Sequence, residues 1–175
     1  MARVCAENGQ HVPSRSHTIE QVLTLLAETP SRLEALTAGL ERAQLQTAPN
    51  DEWSANDVLA HLRACADVWG GCIATIIAEE RPTLRAVNPR TWMNQTDYRQ
   101  LEFQPSLRAF AAQRAALLVV LEALPPDGWS CAATVTGAGK PLERTVFFYA
   151  RWLAEHERPH VKQVARLVKS ISMEH

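Results

Sequence analysis

One seam constrains the fold of this chain more than any other feature. Leu107, Phe110, Arg114, Leu117, Leu121 and Leu124 recur at steps of 3, 4, 3, 4 and 3. That is the repeat of one face of an α-helix, whereas a half-buried strand would alternate at every second residue. Three other stretches share the period. The first runs from about Thr18 to Leu45 and carries Ile19, Val22, Leu25, Leu26, Leu33, Leu36 and Leu40, with Pro30 expected to kink or restart it. The second opens at Ser54, a natural N-cap with Asp57 three residues on, and carries Val58, His61, Cys65, Trp69, Cys72 and Ile76 until Pro82 stops it. The third is the seam itself, about Pro105 to Leu124. The fourth runs from about Glu143 to Ser170, with Val146, Ala150, Leu153, His160, Val164 and Leu167 on one side.

Four amphipathic helices, each with a single apolar stripe, predict an all-α fold, an antiparallel four-helix bundle. Its two long connections, 83–104 and 125–142, make it less regular than a tightly looped up-and-down bundle. A helical turn is expected in the first of them, around "TDYRQLEF", and some extended character in the second. The bundle is expected to span residues 18–172. Residues 1–17, polar and containing Gly9 and Pro13, are expected to form a mobile N-terminal tail.

Composition removes several function classes. With 175 residues and 46% hydrophobic content, the chain suits one domain with a full core. A net charge of −1 offers no basic excess for nucleic acid. No apolar run is long enough to span a membrane. The N-terminus lacks an apolar secretory core, and Cys5, Cys65, Cys72 and Cys131 show no CxxC or finger spacing. Free thiols in a cytoplasmic protein are the expectation. "GAGK", Gly137 to Lys140, is no phosphate loop, since Thr134 and Pro141 occupy the positions that need glycine and Ser or Thr. No G-x-S-x-G elbow is present.

The histidines carry more information. His156 and His160 in "WLAEHERPH" lie four residues apart, on one helix face, at Cβ separations of about 5–6 Å. Two imidazoles so placed can converge on one ion, and His61 aims a third from the inward stripe of the second helix. An inward histidine also occurs as a satisfied core residue, so this reading competes with a metal-free one. Pro159 lies between the pair and is expected to bend the helix. Arg114, a cation in a leucine seam, reads first as an ion pair with Glu157 or Asp67 and second as a fork for an anionic substrate group. Cys65 either faces the histidine cavity or serves as small apolar filling. Trp53, Trp69, Trp92, Trp129 and Trp152 most simply fill core and loop seams.

"EWSANDVLAHL", "FAAQRAALLVVLEAL" and "WLAEHERPHVKQVARL", in that order, resemble the DinB-like (YfiT-like) metal-binding four-helix bundles. The likeness covers roughly residues 18–170. In that family one histidine follows a W-S motif on helix two, and two more stand as H-x-x-x-H on the last helix. His61, His156 and His160 fall on those positions, and Pro159 is the departure from the pattern. The resemblance implies a divalent ion, Zn²⁺ or Ni²⁺, completed by water, in a bundle that commonly forms a homodimer. It implies a thiol-dependent S-transferase or isomerase, with a small-molecule thiol and an electrophile as partners, and Arg114 meeting a carboxylate of the thiol. The alternatives are a metal-dependent hydrolase, for which Glu155 or Glu157 is the local candidate base, and a non-catalytic, metal-stabilised binding or stress protein.

Overall fold

The computed structural model describes residues 17–48 and 52–173. The tail expected at 1–17 therefore lies, apart from His17, outside the described residues. Among the described residues, six α-helices, a 3-10 turn (Gly128–Ser130) and one small sheet are present: α1 (Ile19–Thr37), α2 (Arg42–Gln46), α3 (Ala55–Ala78), β1 (Thr83–Arg85), α4 (Pro89–Met93), α5 (Phe103–Glu122), β2 (Ala132–Thr136), β3 (Leu142–Thr145) and α6 (Val146–Met173). Among these, no helix is long and apolar enough to cross a membrane. The four long helices form the expected four-helix bundle.

The first helix starts and stops for local reasons. Thr18 and Gln21 form a capping box, each side chain taking up the other's backbone N–H. Pro30 does not restart the helix, which continues to Thr37. The proline deprives the Leu26 carbonyl of its usual donor. Arg114 Nη1, reaching across from α5, supplies one at 3.4 Å. The expected continuation to Leu45 fails instead at Gly39, whose φ of +76° turns the chain. Leu45 sits on the separate short helix α2, buried against the core.

Packing reveals how the helices run. Early α1 (Val22, Leu26) meets early α6 (Val146, Ala150) together with late α3 (Ile73, Ile76) and late α5 (Leu121). Late α1 (Leu33) meets late α6 (Val164, Leu167), early α3 (Val58, Leu62) and early α5 (Leu107, Phe110). Two neighbouring pairs, α1 with α5 and α3 with α6, are thus antiparallel, while α1 with α6 and α3 with α5 run parallel. Parallel neighbours need a crossover as long as the helix, roughly 36 Å for the 24 residues of α3.

The first long connection is that crossover. It returns along α3, with Trp92 Nε1 donating to Asp67 at 3.1 Å, Met93 packed on Ala60 and Ala64, and Asn56 Nδ2 donating to the Arg99 carbonyl at 2.9 Å. Its helical turn is α4, seven residues before the stretch where a turn was expected. There Asn88 caps the Arg90 N–H and Pro89 opens the helix.

The second long connection holds more strand than the sequence suggests. β2 pairs antiparallel with β3 (Ala133 opposite Arg144), and β1 adds in parallel to β2 (Leu84 opposite Val135). The "GAGK" stretch is the turn between β2 and β3, with Gly137 and Gly139 at φ +88° and +92°. β3 feeds directly into α6, so the last helix begins at Val146 rather than Glu143. Pro159 leaves α6 unbroken through Met173. Pro159 and Glu155, the residue whose carbonyl it deprives of a donor, are both exposed, where water can serve that group.

Candidate metal centre

Three elements build the centre. α3 starts at a full capping box, with Ser54 Oγ accepting from the Asp57 N–H at 3.1 Å and the Asp57 carboxylate accepting from the Ser54 N–H at 3.0 Å. Arg99 from the crossover pins Asp57 at 2.7 Å. Less than two turns on, this fixed start aims His61 at α6. There His156 and His160, one turn apart, face back.

The three imidazoles meet. His61 Nε2 lies 3.1 Å from His156 Nε2. Ring centroids are 5.3 Å apart for His61 and His156, 4.9 Å for His61 and His160, and 4.8 Å for His156 and His160. Pro159 therefore does not separate the pair. Cys65, one turn after His61, brings its sulfur to 3.5 Å from His61 Nε2. His61, Cys65 and His156 each bring one potential donor atom within 4.8 Å of the other two. His160 completes the ring contacts and has its own anchor, with Nδ1 at 3.0 Å from Gln163 Oε1. If Nδ1 carries the proton in that contact, Nε2 is left as a lone-pair donor toward its neighbours.

Burial decides the charge state. Desolvation, then the neighbouring histidines and the Arg90 guanidinium, push the His61 pKa down to about 3. The same causes, with burial first, bring His156 down to about 4. Burial and Arg90 also lower His160, against an opposing pull from Gln163 and Glu157. At neutral pH the cluster is a set of uncharged imidazoles, the form that coordinates metal. Burial pushes the Cys65 thiol up, and the Glu157 charge adds to it, so that group keeps its proton.

Aromatic walls surround the rings. Trp53 lies 5.1 Å from His61 and stacks at 6.5 Å on His160, and Trp69 meets His156 edge-on at 5.0 Å. Nothing in the sequence distinguishes these tryptophans from core and loop filling, and only the fold brings them here. Gln163 did carry a signal, an H-x-x-Q spacing of one helical turn from His160.

Arg114 is 2% exposed and Glu157 fully buried, and the two form a bidentate ion pair beneath the histidines. This is the ion-pair arrangement weighed for Arg114, with Glu157 as the partner. Asp67, the other partner considered, instead accepts from Trp92, Tyr98 and Gln113. The two candidate bases differ in their surroundings. Glu157 is committed to Arg114, while Glu155 is exposed and lies 3.8 Å from Arg151.

Comparison with known proteins places this geometry in a family. Residues 25–164 match the model of the DinB superfamily. A protein of Geobacillus thermodenitrificans (strain NG80-2), named "Putative metal-dependent hydrolase", is 24% identical over 164 residues, covering 89% of this chain and 86% of its own. Among solved structures, YfiT from Bacillus subtilis, described as a probable metal-dependent hydrolase with an unusual four-helix bundle topology, superposes with a TM-score of 0.76. It is 18% identical, and the match covers 94% of this chain and 95% of that one.

Proposed function

This chain belongs to the DinB superfamily, and from that membership we propose that it is a metal-dependent enzyme whose divalent ion, Zn²⁺ or Ni²⁺, is held by His61, His156 and His160. The observation that carries this reading is the 3.1 Å approach of the Nε2 atoms of two uncharged imidazoles, His61 and His156. Two imidazoles on a tetrahedral ion with Zn–N bonds of 2.0–2.1 Å stand about 3.3 Å apart, so the rings already sit close to ligand spacing. Without an ion, one of the two nitrogens must instead carry a proton for the other to accept. Three nitrogen donors leave coordination positions open, and the buried Cys65 thiol stands beside the cluster as a neighbour.

A divalent ion bound there supplies Lewis acidity, which lowers the pKa of a thiol or a water at an open position. The chain's own residues do the rest. Trp53 and Trp69 shield the rings, Gln163 holds the His160 tautomer, and the Arg114–Glu157 pair supports α6 from below. We favour a thiol-dependent S-transferase or isomerase acting on a small electrophile. Activation of a thiol needs no protein base beyond the ion, and of the two nearby carboxylates Glu157 is committed to Arg114 while Glu155 points to solvent. Hydrolysis is the second reading, supported by the names of the Geobacillus protein and of YfiT.

The test is metal content by mass spectrometry for the wild type and for His160→Ala. The expected result is about one ion per chain in the wild type and its loss in the variant. Absence of metal from both, after incubation with zinc and nickel, refutes the reading. With the loaded protein, electrophile consumption that requires added thiol supports S-transfer, and ester cleavage without thiol supports hydrolysis.

A further inference from the structure

Arg90 is an exposed cation with no acidic partner among the described residues, and α4 places it beside the histidine cluster. Its backbone N–H is capped by Asn88 at 2.9 Å, and α4 is tied to α3 through Met93 and the Trp92–Asp67 bond. Its guanidinium lies 5.1 Å over the Trp53 ring, whose centroid is in turn 5.1 Å from that of His61 and 6.5 Å from that of His160. From this placement we propose that Arg90 is the recognition residue for an anionic group, a carboxylate above all, on the small molecule that occupies the open face of the histidine centre.

The physical argument concerns charge. Three neutral imidazoles leave the full charge of a divalent ion uncompensated, and Arg90 adds one more. The nearest buried anion, Glu157, is neutralised by Arg114. With a divalent ion bound, an anion seated between it and the Arg90 guanidinium would be attracted by both charges. A planar fork stacked on an aromatic face is pre-organised for a carboxylate, losing little side-chain freedom on binding. The return crossover along α3 is what delivers it, because the parallel placement of α3 and α5 forces the chain past His61. Arg114, the fork suggested by the sequence, is spent inside the core, and Arg90 takes the role at the surface.

This inference rests on the metal reading above, and the experiment separates the two. The protein is loaded with Co²⁺, whose visible bands and sulfur-to-cobalt absorption report binding directly. It is titrated with two thiols matched in length, 3-mercaptopropionate and 3-mercaptopropan-1-ol, for the wild type, Arg90→Gln and Arg90→Lys. The wild type is expected to prefer the carboxylate by about tenfold or more, the range of one charge-assisted fork. Arg90→Gln should lose that preference while binding the alcohol as before, and Arg90→Lys should keep part of it. Far-UV circular dichroism and cobalt stoichiometry establish that each variant is folded and loaded, as expected for an exposed side chain. A preference that survives Arg90→Gln belongs to the ion itself and overturns the proposal, as does the absence of any preference in the wild type. If cobalt does not bind the wild type at all, the metal reading falls and the Arg90 proposal with it.

Discussion

Glu157→Gln is the substitution that most sharply tests the account of the core. Glu157 is fully buried and Arg114 is 2% exposed, and their two parallel contacts leave neither charge to water. The amide removes the negative charge and retains the size, so the guanidinium stays buried and uncompensated. Breaking a buried pair in this way costs about 3–5 kcal/mol. For a chain of this length each kcal/mol shifts Tm by about 2–4 °C, so the fall should be about 6–20 °C. Scanning calorimetry in EDTA removes any contribution from bound metal, with urea titration as a second measure. The double variant Arg114→Met with Glu157→Leu should recover most of the loss, because an apolar pair of similar volume carries no desolvation penalty. Part of the loss should remain, since Arg114 also serves the Leu26 carbonyl that Pro30 leaves without a donor. A single variant as stable as the wild type, or a double variant no better than the single, would refute the reasoning.

Other consequences can be measured on the same protein. Stability of the metal-free form should fall with acid. The folded-state pKa values of His61 and His156, about 3 and about 4, lie below the ordinary 6.5, so the unfolded chain binds protons that the folded chain refuses. The loss begins as pH drops through 6.5, reaches about 1.4 kcal/mol per pH unit for each histidine and levels off near the folded values. Urea midpoints between pH 7.5 and 4.5 measure it, and His61→Gln should flatten the slope. Ser54→Ala removes the α3 cap and should cost about 1–2 kcal/mol by urea titration, with no change in the m-value. Gln163→Leu should weaken metal affinity by about 10–100-fold in competition with a chromogenic chelator, while leaving the Tm of the metal-free protein near that of the wild type.

The sequence alone determined what depends on local repetition. The 3 and 4 steps of Leu107 to Leu124 fixed α5, the Ser54–Asp57 pair fixed the start of α3, and H-x-x-x-H fixed two imidazoles on one helical face, because each is a property of neighbours within a turn or two. Where the reading failed, a distant group had overridden a local rule. Pro30 breaks nothing because a guanidinium 84 positions away, at Arg114, supplies the missing donor. The proline at 159 leaves α6 continuous and its two histidines in ring contact, and the carbonyl it deprives of a donor faces water. Short strands β1 and β2 had no period to announce them, since three and five residues pair only once the helices bring them together.

Tertiary structure alone decided the surroundings of the site. The approach of His61 to His156, the Trp53 and Trp69 walls, and Arg90 beside the rings all join residues from separate elements. The parallel course of α3 and α5 decides the last of these, because a chain that must return the length of a helix lays its crossover across whatever that helix presents.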